Sequence, residues 1–404
     1  VKISNLQKPA FRKVPLRTVV IAAILGGIAI GGMYYGFLLN NKLSISHRLA
    51  VNLEAKNAQL VAEIESLKKQ IDELQNEDPR AKNKEILATI AQMKDTYKKA
   101  VSVYEDLVDL REMSKSTAKL DQLYAISISI LSQENYASAS ASLTQLSKDI
   151  STERSKVVVA TVVVPANAPV SNTPPSSGYS RQTVNSDAGS FVVSIVSADL
   201  GSTKVIVDTA SDSDCGNNCP VLPLATYVSR SGAFAGINGS YFCPASYPTC
   251  AGKTNTFDLL VMNKNKTYFN SANNVYSNNP AVIFGSGYMR FVSAASQWGR
   301  DTGIDGMLSN YPLLVEGGNI RFGGDDDPKK GSKGNRSFVG NKGNTAYIGI
   351  VHNATVAETA RVLKAMGLEN ALNLDSGGST ALWSGGYKLG PGRDLPNVIL
   401  FVRK

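Results

Sequence analysis

The sequence predicts an α+β protein: a mixed, β-rich C-terminal domain with few helices, preceded by a transmembrane helix and an α-helical coiled-coil stalk. Three observations carry that expectation. Residues 18–39 form an uncharged apolar run, a heptad pattern follows it, and beyond residue 190 short β-rich runs alternate with Gly, Asn and Ser.

Residues 1–17 read as a basic cytoplasmic tail. Lys2, Lys8, Arg12, Lys13 and Arg17 precede any acidic residue, so part of the net charge of +9 is a targeting signal. It is not a nucleic-acid footprint, and no nucleic-acid partner is expected. At about 1.5 Å per residue, residues 18–39 would span about 30 Å of hydrocarbon. A cleaved signal peptide has a shorter apolar core, of about 7–15 residues. The basic flank places the N-terminus in the cytoplasm. The expectation is a single-pass membrane protein, held in the membrane through 18–39, with its C-terminal domain extracytoplasmic.

Residues 42–78 carry the heptads. Leu53, Leu60, Leu67 and Leu74 are seven apart, with Ala50, Asn57, Ile64 and Ile71 at the other seam position. A polar seam residue such as Asn57 fixes register in parallel dimers, so a homodimer through the coiled coil is expected. Residues 80–155 continue as a helical stalk, rich in Ala, Lys, Leu and Ser. Residues 156–190 hold "VVVPANAPVSNTPPSSGYS", whose Pro, Ser and Asn mark an extended linker.

Residues 191–404 form the β-rich domain. "SFVVSIVSADL", "TKVIVDTA", "AVIFG", "MRFVSA", "TAYIGIV" and "NVILFVRK" suit strands. Thr355 and Glu358 make a capping box, Val356, Ala360, Leu363 and Met366 recur at helical spacing, and Gly367 supplies the stop. A second helix is expected around 222–231. "ALNL", ahead of Asp375, reads as a short buried strand.

All four cysteines lie in this domain. Cys215 and Cys219 are separated by three residues, and Cys243 and Cys250 by six. Zinc sites favour two residues between paired cysteines, so disulfides are expected. Three pairings are possible, and the local ones are favoured. No cofactor or metal is indicated. The "DDD" at 325–327 lacks an EF-hand pattern and reads as a solvated loop.

Four stretches place polar groups where a strand meets a glycine-rich turn. "GINGSYF" holds Asn238, Gly239, Ser240 and Tyr241, and "GNRSFVG" holds Arg336. "NLDSGGST" holds Asp375, Gly377, Gly378, Ser379 and Thr380, and "GRDLPNVIL" holds Arg393 and Asn397. Glycines in such turns let backbone amides approach an anion closely. His352 follows the strand "YIGIV" towards the same loop end.

In this order, over residues 190–404, the four motifs resemble the phosphodiester glycosidase family, whose pattern runs NGGFF, R-[ST]-x-x-G, NLDGGGST and a final PN. "YPLLVEGG" at 311–318 is similar to the family's strand before the arginine motif. Ser240 and Ser376 depart from that pattern and narrow the space beside the site.

The resemblance implies a hydrolase of glycosyl-1-phosphodiester bonds acting on a phosphodiester-linked glycan of the cell surface or wall. Asp375, Arg336 and Asn238 are the implied catalytic residues. Asp375 would act as nucleophile, as base for water or as cation stabiliser. Arg336 would hold phosphate, assisted by Arg393. Gly239, Ser240, Gly377, Gly378, Ser379, Thr380, Asn397 and His352 complete the implied binding set, with Glu316 and Asp258 as further acids. The alternative is a non-catalytic glycan-binding or scaffold head on a dimeric stalk.

Overall fold

A computed structural model of the chain describes residues 16–74, 79–114, 116–161, 168–270, 277–301 and 303–404. The basic tail expected at 1–17 therefore lies, except for Leu16 and Arg17, outside the described residues. The chain divides into two units, Val1–Ile90 and Ala91–Lys404.

The first unit is dominated by helix α1 (Leu16–Leu74). Among the described residues no helix is long and apolar enough to cross a membrane. This corrects the expected transmembrane helix and, with it, the single-pass topology. Residues 18–39 are instead the opening turns of a 59-residue helix that runs on into charged sequence. Gly26, Gly27, Gly31, Gly32 and Gly36 dilute the apolar run. The heptad positions up to Leu74 are helical, and the seam residues Leu53 and Leu67 are exposed in the single chain. Residues 75–78 lie outside the described residues.

The second unit opens with three helices. These are the later turns of α2 (Pro79–Met113), α3 (Ala118–Ser132) and α4 (Tyr136–Thr161). Leu107 and Leu110 of α2 meet Leu131 of α3 and Leu143, Leu146 and Ile150 of α4 in one dry core. Burying a leucine or isoleucine fully contributes about 1.5–3 kcal/mol. The helical stalk is thus a bundle with its own interior.

The β-rich part begins earlier than expected, with β1 (Gly178–Ser186) and β2 (Gly189–Asp199). The stretch read as an extended linker therefore contributes the end of α4 and a whole strand. Gln182 and Val184 alternate inward along that strand, a period-2 signal masked by the neighbouring Pro and Ser. Next come β3 (Thr203–Thr209), α5 (Leu224–Ser231), β4 (Ala235–Asn238), β5 (Val261–Met262) and β6 (Tyr268–Phe269). They are followed by β7 (Ala281–Gly285), β8 (Tyr288–Val292), β9 (Gly306–Ser309), β10 (Leu313–Glu316) and β11 (Asn319–Ile320). The short α6 (Pro328–Gly331) precedes β12 (Gly334–Lys342), β13 (Thr345–Ala354) and α7 (Val356–Ala365). The last strands are β14 (Asn370–Asn373), β15 (Leu382–Ser384), β16 (Tyr387–Leu389) and β17 (Asn397–Arg403).

Three antiparallel sheets result. Seven strands run in the order β1-β2-β13-β12-β14-β10-β11, five in the order β16-β15-β4-β17-β3, and five in the order β6-β5-β9-β7-β8. Alternation along each strand sorts the core. On β2, Val196 and Ala198 join the large interior shared by the sheets, while Val193 and Ile195 pack with α7. On β17, Ile399 and Phe401 point into the shared interior, while Val398 and Leu400 pack with α5. Each helix covers the outer face of a sheet that would otherwise expose apolar side chains. The capping box of α7 forms as expected, with Thr355 Oγ1 accepting from Glu358 N at 3.1 Å and Glu358 Oε2 accepting from Thr355 N at 2.7 Å.

Both disulfides are local, Cys215–Cys219 and Cys243–Cys250. Loops this short constrain the unfolded chain by about 2 kcal/mol each on chain-entropy reasoning. Reduction is therefore expected to lower the melting temperature measured by calorimetry, and an unchanged melt would show that the bridges are thermodynamically idle.

Candidate active site

The four motifs meet where their strands end. Asn238 is the last residue of β4 and is fully buried. Its Nδ2 donates to the Asp375 carbonyl at 2.6 Å. Its Oδ1 accepts from Ser337 Oγ at 2.9 Å and from Ala381 N at 3.2 Å. One side chain thus ties "GINGS" to the arginine motif and to both sides of "DSGGST". Those bonds commit its amide to protein partners.

Gly239 is required by sterics. A Cβ there would lie 1.8 Å from Asn397 Oδ1. The close approach lets Gly239 N donate to the Asn397 carbonyl at 3.1 Å, and Asp375 N to the Gly239 carbonyl at 3.0 Å. Asn397 in turn accepts from Ser240 N at 2.9 Å and donates to Ser240 Oγ at 3.1 Å. Asn397 and Ser240 therefore lock one turn to β17. After Asp375 the chain reverses through Gly377, whose φ of +67° is a left-handed conformation that suits glycine.

Asp375 lines a cavity of about 350 Å³ together with Arg336, Tyr241, Tyr311, Lys330 and Arg393. That volume suits a small ligand. Burial pushes the Asp375 carboxyl up from 3.8 to about 7, against the opposing pull of Ser379, Arg393 and the Ser376 amide. Ser376 N donates to Asp375 Oδ1 at 2.8 Å. Ser379 bears on the Asp375 carboxyl, whereas the buried hydroxyl of Thr380 has no hydrogen-bond partner among the described residues, an uncommon condition that a ligand hydroxyl would relieve.

Arg336 is held by backbone carbonyls. Its Nε donates to Ala354 O at 3.0 Å and its Nη2 to Lys329 O at 2.8 Å and to Ser332 O. It makes no ion pair among the described residues, although it is only 8% exposed. Burial lowers its pKa to about 10, so the guanidinium stays charged at neutral pH. A buried cation without a carboxylate on it is costly unless an anion visits.

Arg393 differs. Its Nε and Nη2 donate to Glu112 Oε2 at 3.0 and 2.8 Å, and its Nη2 also donates to Asp109 Oδ1. Burial alone would lower its pKa, but Asp109 and Glu112 raise it. Both carboxylates come from α2, a helix whose local pattern carries no sign of this contact.

His352 is buried away from the cavity. Its Nδ1 pairs with Asn335 Oδ1 at 3.0 Å and its Nε2 with Ser194 Oγ at 2.9 Å. Burial, reinforced by Arg181, lowers its pKa to about 3, so it stays neutral. Glu316 is paired with Arg321 at 2.8 Å on the β10–β11 hairpin, outside the cavity, whereas Asp258 lies on the cavity rim. Asp325 and Asp327 both pair with Lys330.

Sequence reading missed Asn310, whose Oδ1 accepts from Tyr241 N at 3.0 Å and whose Nδ2 donates to Asn373 O at 2.8 Å. It also missed Tyr247, which sits inside the Cys243–Cys250 loop and donates to Asp109 Oδ2 at 2.6 Å. The polar "SNYP" ahead of β10 was the available signal for the first; the disulfide-closed loop was the signal for the second.

Asn238→Ala should cost about 1–3 kcal/mol, because it strands a buried hydroxyl, an amide and a carbonyl. Chemical denaturation checks this, and a loss within error would remove Asn238 as the tie. The raised Asp375 pKa also has a sign. Between about pH 4 and pH 7 the folded chain keeps a proton that the unfolded chain has lost, so this carboxyl's contribution to stability falls as pH rises through that window. The melting temperature of the native chain should drop relative to Asp375→Asn between those pH values; parallel curves would refute the shift.

No curated protein matches the chain. Among similar solved structures, a hypothetical protein from Synechocystis is 16% identical with a TM-score of 0.40, over 56% of this chain and 62% of that one. The catalytic domain of zebrafish N-acetylglucosamine-1-phosphodiester alpha-N-acetylglucosaminidase, auto-inhibited by its pro-peptide, is 16% identical with a TM-score of 0.43, over 59% and 87% of the two chains. A putative exported protein from Burkholderia pseudomallei is 11% identical with a TM-score of 0.34, over 53% and 74%. Residues 231–402 match the family model of the phosphodiester glycosidases, and this part of the chain is a domain of that family.

Proposed function

We propose that the C-terminal domain hydrolyses glycosyl-1-phosphodiester bonds of a glycan. The observation that carries this reading is the pairing, in one cavity, of a half-buried carboxylate of raised pKa with a buried guanidinium that makes no ion pair among the described residues. Arg336 takes the phosphodiester anion, and Asp375 acts at the anomeric carbon. In the step that follows, water attacks C1, its proton passes to Asp375, and the C1–O bond to phosphorus breaks. The leaving phosphate monoester has a second pKa near 6, so it departs without a strong general acid. The family match supports a glycosidase-type hydrolase, and the buried Thr380 hydroxyl, without a partner among the described residues, supports a hydroxyl-bearing ligand.

Asn238 and Asn397 act in this scheme as positioning residues, holding the two turns around Asp375. Asp375→Asn should leave folding and ligand binding intact while turnover falls by about 10³-fold or more, the scale for a group acting chiefly in the transition state. Arg336→Ala should also raise KM, because it discards the charge that meets phosphate in the ground state. The assay is release of reducing sugar from a panel of glycosyl phosphodiesters. Turnover retained by Asp375→Asn would move the chemistry elsewhere. Binding without any turnover by the native chain would establish a glycan-binding head instead.

A further inference from the structure

Glu105, Asp109 and Glu112 lie four and three residues apart, on one face of α2. All three are bonded to the β-rich domain. Glu105 accepts from Lys329 Nζ at 3.1 Å and from Thr249 Oγ1. Asp109 accepts from Tyr247 and Arg393, and Glu112 from Arg393. Two carboxylates on one guanidinium leave the Arg393 wall with a net negative charge. Arg336, held against Ser332 and Ala354, forms a wall whose positive charge has no ion pair among the described residues. The cavity is therefore electrically two-sided, and Asp375 lines it with both groups.

The negative wall also borders a buried hydroxyl. Thr380, whose buried hydroxyl has no partner among the described residues, lines a second cavity of about 470 Å³ that shares Gly377 and Arg393 with the first. Glu112 and Gly378 line that cavity too. A Cβ on Gly378 would fall 2.0 Å from Glu112 Oε2, so the glycine is what admits the carboxylate.

We propose that Asp109 and Glu112 are specificity-determining residues: they confine the substrate's phosphate to the Arg336 wall and admit only an uncharged, hydroxyl-bearing sugar at the Arg393 wall. This rests on the glycosyl-phosphodiester reading above and deepens it by naming the charge class of the sugar. An acidic sugar at that wall would meet two carboxylates that already occupy Arg393. A neutral sugar can donate hydroxyls to those same oxygens.

The test uses the full chain and two substrates that differ only at the sugar, a neutral hexosyl phosphodiester and its 6-carboxylate analogue. The native chain should prefer the neutral one, and Asp109→Asn/Glu112→Gln should reduce that preference about tenfold, mainly by lowering KM for the acidic one, as expected when close like charges are removed from a site. Titration with inorganic phosphate supplies a readout independent of catalysis. The native chain should bind it through Arg336 alone, while the double variant should bind about tenfold more tightly through the freed Arg393, a gain abolished by adding Arg393→Ala. If the double variant melts below the assay temperature, Glu112→Gln alone should shift both readouts in the same direction by less. A folded variant with unchanged phosphate affinity and unchanged sugar preference would overturn the proposal and leave the carboxylates as docking contacts for α2. Should no variant hydrolyse either substrate, the glycosidase reading fails, and the phosphate titration still decides the charge assignment.

Discussion

The buried amide of Asn238 is the constraint on which the site depends. It stands at the end of β4, in the five-stranded sheet, and its partners belong to strands and turns of the seven-stranded sheet and to the turn before β15. Three hydrogen bonds from one side chain hold both sheets in register at this end. Each is modest in net terms, but leaving any of their partners unmet in a buried setting is expensive. The apolar interior fixes the separation of the sheets, and the amide fixes how their polar ends align. Without that alignment Asp375 and Arg336 would not share a cavity.

Burial then sets the chemistry. The same sheet ends that crowd Asp375 raise its pKa, and those that hide Arg336 leave it with carbonyls in place of a carboxylate. Neither group is neutralised by the other through a direct ion pair among the described residues. Such an arrangement costs stability, and structural packing alone gives it no return. An anionic ligand on Arg336 would recover part of the cost, which is a physical reason for treating the pair as functional.

The β-rich domain was largely legible because its signals are local. Alternating apolar residues marked β2, β3, β13 and β17, the Thr355–Glu358 box marked α7, and cysteine spacing marked the two disulfides. The motifs showed which residues gather, but not what each of them touches. Asn238 and Asn397 look like substrate contacts in sequence and prove to be braced on protein atoms, because hydrogen-bond partners more than a hundred residues away leave no local trace. His352 likewise sits near the right loop end and is turned onto Ser194 and Asn335. The apolar run at 18–39 misled for a related reason. Its apolar composition is local, while its continuation into one long polar helix shows only over 59 residues.

The division of the chain into stalk and head is where sequence reasoning lost most. Residues 80–155 show ordinary helical composition, and Glu105, Asp109 and Glu112 look like the solvated face of an amphipathic helix. Leu107 and Leu110, interleaved with them, enter the core of the bundle instead. The same three-and-four spacing that builds that core therefore presents a row of carboxylates on another face. Their partners are a loop closed by Cys243–Cys250 and an arginine just before the last strand, neither of which is near in sequence. Because Arg393 receives its counter-charge from α2, the electrostatics of the cavity belong jointly to the bundle and the β-rich domain. A fragment beginning at residue 191 would keep Asp375 and Arg336 but would release Arg393 and reverse the charge of one wall. The helices are in that sense part of the site and not merely its support.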